Sequence, residues 1–189
     1  MPQRPLSDRY STVAVALHWL VAIGIVYNLV ETLVFFDDNT PRSAIDLHKS
    51  VGITVIGLVV MRILWKIGNP APKPMPSLKV WERKLSVSTH HLLYLLMAFV
   101  PLAGWLHDSA WKGAATHPLT LYGVIPWFRI PLFGGMNDAG KDWWHETLGG
   151  VHEWSGKLLA ILVALHIAGA LKHQFLDRQP QFRRMWFGK

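Results

Sequence analysis

The sequence contains no cysteine and few charged residues. Without cysteine there can be no structural disulfide, thiolate haem ligation, cysteine-bound iron–sulfur cluster or cysteine-type zinc site. Only 16% of the 189 residues are charged, whereas 51% are hydrophobic and 12% aromatic. This composition is too apolar for an ordinary soluble domain of this length. We therefore expect one integral membrane domain over residues 1–189, with ten histidines as the available soft donors.

The excess of basic over acidic residues does not indicate a nucleic-acid-binding protein. The formal net charge is +7. The lysines and arginines gather between and beyond the apolar runs, rather than on a basic face with interleaved aromatic residues. We therefore expect no nucleic-acid partner, and membrane orientation explains the basic residues better.

Four apolar runs are long enough to span a bilayer, once the second and third are extended at their starts. We predict an all-α, integral membrane four-helix bundle with helices over about 12–36, 47–67, 89–107 and 150–173. The first run is not a cleavable signal peptide, because it is too long and no small-residue cleavage site follows it. Lipid is thus an expected partner.

The distribution of Lys and Arg predicts the topology. Basic residues concentrate before the first helix, between the second and third, and after the fourth. Both termini are therefore predicted to be cytoplasmic, in a multi-pass protein of the bacterial inner membrane. The proline-rich residues 68–79 read as an extended cytoplasmic connector. The basic residues concerned are Arg4, Arg9, Lys66, Lys73, Lys79, Arg83, Lys84, Lys172, Arg178, Arg183, Arg184 and Lys189.

A long periplasmic loop, about 108–149, is predicted between the third and fourth helices. It is rich in tryptophan, phenylalanine and paired glycines. The first interpretation is an aromatic collar on the outer headgroup region. The alternative is a surface through which a substrate approaches. Its aromatic residues are Trp111, Trp127, Phe128, Phe133, Trp143 and Trp144.

Two histidines of the fourth helix share one face. His152 and His166 are fourteen residues apart, which turns an α-helix through about 1400° and separates them by about 21 Å of a roughly 30 Å hydrocarbon core. An ionisable side chain in hydrocarbon is costly and usually functional. Two in register predict two stacked sites, for which a metal is the natural occupant.

Histidines of the first two helices lie at matching depths. His18 enters from the cytoplasm and faces His166, whereas His48 begins the second helix on the outer side, level with His152. Two coaxial pairs are what two stacked haem groups require, each iron taking two axial imidazoles in a low-spin state that favours electron transfer. Small residues leave room beside them for a flat macrocycle. They are Gly52, Gly149, Gly150, Ala164, Ala168 and Gly169.

His145, in the segment WWHETLGG, is a competing candidate for the outer ligand. It lies twenty-one residues from His166, about 31 Å along a helix, which places it at or beyond the membrane edge. We therefore assign His145 to the interface, together with His107 and His117.

These residues resemble the prokaryotic cytochrome b561 family over nearly the whole chain. The matching elements are His18-Trp19, His48-Lys49-Ser50-Val51-Gly52, His90-x3-Tyr94 with Pro101 and Gly104, and His152-Glu153-x12-His166 followed by His173. The family includes small quinone-linked di-haem cytochromes such as superoxide oxidase and, more distantly, cytochrome b subunits of hydrogenases and formate dehydrogenases. The resemblance implies two haem b, with His18 and His166 on the cytoplasmic haem iron and His48 and His152 on the periplasmic one. The connection around 116–144 is longer than in the short family members, and its length bears on whether the outer haem is accessible. A covered haem would imply other partners than an exposed one.

Three more histidines lie near the predicted cytoplasmic side. His173 follows His166 by seven residues, on nearly the same face and about 10 Å closer to the cytoplasm. It is either an interfacial residue at a helix end or part of a quinone site, where it would hydrogen-bond a carbonyl or relay a proton. His90 and His91 are alternative contributors. The resemblance favours His90, by its spacing to Tyr94, with tertiary packing as the other explanation for it.

The resulting functional hypothesis is transmembrane electron transfer from a periplasmic one-electron donor, with superoxide the expected one, through two haem b to ubiquinone. That would make the protein an oxidoreductase of the superoxide:ubiquinone type. The alternative is an electron-carrying subunit or membrane anchor for a separate dehydrogenase or cytochrome. A divalent-metal transporter is a third possibility, weakened because Glu31 and Glu153 are its only intramembrane carboxylates.

Overall fold

The computed structural model describes residues 9–69, 72 and 80–187. Arg4, Lys73, Lys79 and Lys189 lie outside these residues, as does most of the proline-rich connector predicted over 68–79. The predictions made for them are therefore untested.

Four long helices make up most of the described chain. They are α1 Thr12–Val30, α2 Arg42–Gly68, α3 Val80–Ala110 and α4 Asp138–Leu171. One turn of π-helix, Glu31–Phe35, extends α1, and another, Lys172–Leu176, extends α4. With these extensions the four helices run for 24, 27, 31 and 39 residues and are apolar enough to cross a membrane. The predicted all-α membrane four-helix bundle is confirmed.

Consecutive helices pack side by side and run in opposite directions, so the bundle has two distinct ends. We call the end that holds residues 36–48 and 105–152 the loop end. The opposite end, which holds residues 9–18, 62–69, 80–90 and 166–187, is the terminal end. A short helix, α5 Gln181–Arg184, follows α4 there.

Three helices begin earlier than the sequence predicted. The fourth starts at Asp138 rather than at about 150, because the Asn137 side chain accepts a hydrogen bond from Gly140 N–H at 2.8 Å and caps it. The second starts at Arg42 rather than 47, and the third at Val80 rather than 89. Their first turns are polar, so hydropathy alone did not include them. The loop is correspondingly shorter, 111–137 rather than 108–149.

Aliphatic side chains from all four helices form the core. It consists of Val21, Ile25, Val55, Val59, Leu93, Leu96, Val100 and Leu159. At Gly24 the first two helices approach closely, since a Cβ there would lie 2.8 Å from Val55 Cγ2. Many large apolar side chains, such as Ile23, Leu64 and Leu165, are exposed on the outside. Outward-facing leucines are stable where the surrounding solvent is lipid.

The loop folds against the helices at the loop end. Strands β1 Thr120–Leu121 and β2 Ile125–Pro126 pair antiparallel. The turn between them places Tyr122 and Gly123 at positive φ, 54° and 71°, as a tight hairpin turn requires. Tyr122 N–H donates to Ser50 Oγ at 2.9 Å, and Ser50 is fully buried. The hairpin is thus anchored to α2, two residues from His48.

Candidate functional site

At the loop end, His48 of α2 faces His152 of α4. Their ring centroids are 5.9 Å apart and the ring planes are inclined by 83°. Both imidazoles are half-buried between helices that are far apart in the sequence. The two residues predicted to share the outer level are therefore brought together.

The middle of α3 shapes the space for the His152 ring. His152 Nδ1 lies 2.8 Å from the carbonyl oxygen of Val100. Because a carbonyl only accepts, Nδ1 carries the proton, which leaves the Nε2 lone pair free for a metal. A Cβ at Gly104 would lie 2.8 Å from His152 Cε1. Gly104 is therefore required for the ring to occupy this position.

His48 is held at its backbone rather than through its Nδ1. Asn28 Nδ2 donates to the His48 carbonyl at 3.1 Å, and the Phe36 ring lies 5.7 Å from the imidazole. Within the part of the chain that the structure describes, His48 Nδ1 is buried and has no hydrogen-bond partner. An unsatisfied buried nitrogen is unfavourable in the protein alone.

At the terminal end, His18 of α1 faces His166 of α4. Their ring centroids are 6.4 Å apart and the planes are inclined by 75°. His90 of α3 is a third imidazole there, 5.2 Å from the His166 ring. Its Nδ1 lies 2.6 Å from the Ser86 carbonyl oxygen, so His90 also presents a free Nε2. The sequence analysis placed His90 near a quinone, whereas the structure also places it against His166.

Both ring separations suit an iron between the imidazoles. With metal–nitrogen bonds of about 2 Å on opposite sides, and about 1.1 Å from each nitrogen to its ring centre, the centroids should be roughly 6.3 Å apart. The observed 5.9 and 6.4 Å match this value. Of the glycines predicted to leave room for a macrocycle, Gly150 and Gly169 have nothing within 4 Å of an added Cβ, whereas a Cβ at Gly149 would lie 3.0 Å from His107 Cε1. The two pairs therefore fit a bis-imidazole haem.

The third histidine pair has a different geometry. His107 and His145 stack with centroids 3.9 Å apart and planes inclined by only 16°. Each Nδ1 bonds to the backbone carbonyl oxygen of the other residue, at 2.8 and 3.0 Å. Stacked rings this close leave no room for an iron between them. This pair joins α3 to α4, and its geometry favours His152 over His145 as the outer ligand.

Arg62 was missed by the sequence analysis. It follows His48 by fourteen residues, the spacing that relates His152 to His166, and so reaches the level of the terminal-end pair. Its Nε donates to Tyr94 Oη at 2.9 Å and its Nη1 to the Ala14 carbonyl at 3.1 Å. Ala14 precedes His18 by one turn of α1, and Tyr94 follows His90 by one turn of α3, so these contacts place Arg62 at the level of the terminal-end pair. The repeated spacing was the available signal, but it was sought only among histidines.

A buried ion-pair cluster lies beside His48. Asp108, at the end of α3, is 5% exposed and binds Lys49 Nζ at 2.5 Å and Arg129 Nε at 2.8 Å. Arg129 also donates to the Ala114 carbonyl at 2.9 Å. The cluster thus ties the loop to α2 and α3 through one carboxylate. Local charge counts did not reveal it, because its members come from three segments.

A second polar cluster surrounds His173 at the terminal end. Its Nδ1 lies 2.7 Å from Asp177 Oδ2, and Lys172 Nζ binds the same oxygen at 2.8 Å. Lys172 also binds Glu82 at 3.0 Å, which links α4 to the start of α3. The hydrogen bonds from Lys172 and His173 hold the pKa of Asp177 below its ordinary value. His173 is therefore oriented through Nδ1, and no described residue hydrogen-bonds its Nε2.

The two remaining predicted histidines differ in their surroundings. His117 lies in the loop, 4.9 Å from the Trp111 ring, and its Nδ1 is 2.9 Å from Thr116 Oγ1. His91 is exposed on α3, next to His90. The aromatic residues of the loop form small clusters, such as Trp105 with Phe128 at 5.0 Å.

Four membrane-length helices that bring paired imidazoles together at two levels define a class, the membrane-embedded b-type cytochromes. Comparison with known proteins gives the family. The chain belongs to the prokaryotic cytochrome b561 family, whose family model matches residues 9–188. It is therefore a multi-pass prokaryotic membrane protein of electron transfer, in a family that binds haem b.

Three curated relatives illustrate the similarity. "Cytochrome b561 homolog 2" of Escherichia coli (strain K12) is 33% identical over 184 residues, which cover 94% of this chain and 91% of the relative. "Cytochrome b561 homolog 1" of the same strain is 24% identical, with coverages of 94% and 97%. "Probable superoxide oxidase CybB" of Yersinia pestis is also 24% identical, with coverages of 95% and 97%.

Proposed function

We propose that the chain holds two haem b groups, one between His48 and His152 and one between His18 and His166. The observation that carries this proposal is the spacing of the two pairs, 5.9 and 6.4 Å between ring centroids, against the roughly 6.3 Å needed for two imidazoles on one iron. Each haem would supply reversible one-electron chemistry at its level. Two axial imidazoles leave no open coordination position, which favours electron transfer over ligand binding at the metal.

The protein's part is to fix the ligands. The Val100 carbonyl sets the tautomer of His152 and makes its Nε2 a better donor, as second-shell partners of metal-bound histidines do. Asn28 holds the backbone of His48. The helices α2 and α4 thereby present both imidazoles without further rearrangement.

The terminal end is proposed to be cytoplasmic. Basic side chains gather there, as the positive-inside rule expects for the cytoplasmic side. The protein would then lie in the bacterial inner membrane with its loop end in the periplasm. The described lysines and arginines of this end are Arg9, Arg62, Lys66, Arg83, Lys84, Lys172, Arg178, Arg183 and Arg184.

Superoxide is the proposed donor at the loop end. The ion pairs beside His48 form a connected cluster of three cations, Arg42, Lys49 and Arg129, and two carboxylates, which are Asp46 and Asp108. Their excess positive charge favours the approach of a small anion. One curated relative is named a probable superoxide oxidase. Superoxide oxidation to dioxygen releases one electron and needs no general base, so no catalytic side chain is required.

Ubiquinone is the proposed acceptor at the terminal end. His173 and His90 each have Nδ1 engaged, by Asp177 and by the Ser86 carbonyl, and each presents a free Nε2. A free imidazole nitrogen can hydrogen-bond a quinone or exchange its proton. Reduction of a quinone to quinol takes two electrons and two protons, so two superoxide ions would be consumed for each quinol.

Two measurements on the purified protein test this function. Superoxide, generated enzymatically, should reduce haem absorbing as a b-type cytochrome, and added ubiquinone should reoxidise it. His173→Ala should keep both haems and their reduction by superoxide but slow reoxidation by quinone at least tenfold. His91→Ala is the matched control on the same side and should leave both rates unchanged.

Some outcomes would contradict the proposal. If superoxide leaves the oxidised haem unchanged while a periplasmic cytochrome reduces it, the donor is wrong and an electron-carrying subunit becomes the better description. If His173→Ala abolishes haem binding, His173 belongs to the haem site and not to the quinone site.

A further inference from the structure

Arg62 places a positive charge inside a membrane-spanning helix. Such a charge is costly in hydrocarbon unless a partner compensates it. Among residues 9–69, 72 and 80–187, no aspartate or glutamate forms an ion pair with Arg62. Its hydrogen-bond acceptors, Tyr94 Oη and the Ala14 carbonyl, are both neutral. The guanidinium is therefore held in place without an anion.

Its side chain is fixed in one orientation and keeps donors available. A guanidinium has five N–H donors, and the two contacts to Tyr94 and Ala14 use two of them. The Tyr94 ring lies 5.8 Å from the Arg62 guanidinium carbon and 4.8 Å from Lys66 Nζ. These contacts anchor Arg62 between α1 and α3. The remaining N–H donors of its planar guanidinium suit a carboxylate.

The position of Arg62 identifies the anion. It contacts Ala14, one turn before His18 on α1, and Tyr94, one turn after His90 on α3, and so lies at the level of the His18 and His166 pair. A haem held there would bring two propionate carboxylates with it. The quinone is neutral, and the His173 cluster already has its own carboxylates.

We propose that Arg62 binds a propionate of the haem held by His18 and His166, and thereby raises the reduction potential of that haem. The inference rests on the proposed haem assignment. An ionised propionate disfavours the negative charge that reduction adds at the iron, and a guanidinium bound to that propionate compensates it. Arg62 is a positioning residue that acts on the cofactor through its carboxylate, and Tyr94 orients it.

The test compares two cofactors in two proteins. The midpoint potentials of both haems are measured by spectroscopic redox titration in the wild type and in Arg62→Gln, each reconstituted with haem b or with haem b dimethyl ester. With haem b, Arg62→Gln should lower the potential of the terminal-end haem and leave the other unchanged. With the ester, whose propionates carry no charge, the difference between the two proteins should largely disappear.

Arg42→Gln is the matched control. Arg42 lies on the same helix but at the loop end, where it is exposed and pairs with Asp46 at 3.2 Å. It should shift neither potential. Should Arg62→Gln fail to fold, Arg62→Lys and Tyr94→Phe provide the same comparison, with smaller shifts that the ester should also remove.

An equal shift of the midpoint potential with haem b and with its ester would overturn the propionate assignment. The assignment would also be overturned if a folded Arg62→Gln protein that retains two haems showed no shift. A wild-type protein that holds fewer than two haems would instead overturn the haem assignment on which the inference rests. A lipid phosphate as the true anion would be recognised by a shift that depends on the lipids supplied and not on the ester.

Discussion

The two ends of the bundle hold similar imidazole pairs in different surroundings. At the loop end, His152 is fixed by a backbone carbonyl and a glycine, and the loop is tied down by the buried Asp108. At the terminal end, His166 has a third imidazole, His90, beside it, and the pair lies near an arginine without a carboxylate partner among the described residues. The first site is closed by protein contacts, whereas the second leaves polar groups free.

This difference agrees with a division of labour between the ends. A donor of single electrons at the loop end needs no proton, so surroundings that hold the imidazoles in place suffice. Quinone reduction at the terminal end would consume protons, so free imidazole nitrogens and nearby charges are useful there. The asymmetry is therefore in the neighbours of the ligands and not in the ligand pairs themselves.

The largest effect is expected from removing one ligand at either end. His166→Ala should reduce the haem content from two per chain to one, and so should His152→Ala, because the two pairs share no imidazole. The pyridine haemochrome assay with protein quantification measures this ratio, and the midpoint potential of the surviving haem shows which site remains.

His145→Ala is the control for these variants. His145 stacks on His107 and should be dispensable for haem, although α3 and α4 lose a contact. Two full equivalents of haem in His166→Ala would refute that assignment, and loss of haem in His145→Ala would show that the outer ligand was chosen wrongly.

Asp108→Asn should disrupt the loop end while leaving the terminal end intact. It removes the carboxylate that binds the mostly buried Arg129 and leaves Lys49 with the longer contact to Asp46 at 3.7 Å, at a cost on the order of 3 kcal/mol. We expect a lower thermal midpoint and faster protease cleavage within 111–137. Asp142→Asn, which removes an exposed pair with Lys112, should change little. Equal behaviour of the two variants would mean that the loop does not depend on Asp108.

Gly104→Ala should damage one haem site selectively. The new Cβ would lie 2.8 Å from His152 Cε1, so the ring must move. We expect a changed low-spin signal in electron paramagnetic resonance from the loop-end haem only. In Gly156→Ala the Cβ meets only Val100 Cγ1 at 4.0 Å, and the gain in helix propensity of about 1 kcal/mol should predominate. Identical spectra for the two variants would contradict the role given to Gly104.

The fold and the histidine pairs could be predicted from the sequence because both follow from regular patterns along the chain. The fourteen-residue spacing and the length of the apolar runs depend only on helix geometry and bilayer thickness. The predicted starts of α2, α3 and α4 were wrong because these helices begin in polar sequence, where hydropathy gives no signal. The capping residue Asn137 of α4 lies in such a segment.

The surroundings of the pairs were not accessible in the same way. The contact of Asp108 with Lys49 and Arg129 joins residues 59 and 21 positions away, and nothing in the local sequence links them. The packing of His90 on His166 depends on how α3 and α4 are rotated against each other. Only Arg62 carried a usable signal, since it repeats the ligand spacing on α2.

The smallest expected effect concerns the end of α4 and its dependence on pH. The pKa of Asp177 is lowered by its contacts with Lys172 and His173, so the ionised carboxylate stabilises the folded state above its unfolded pKa of about 3.9. This contribution is lost as the pH falls through the lower folded value. Hydrogen-exchange protection of residues 173–182 should therefore be lower in Asp177→Asn than in the wild type from pH 8 to 5, and the two should converge below about pH 4. Equal protection of the two proteins across this whole pH range would show that Asp177 does not stabilise this end of the bundle.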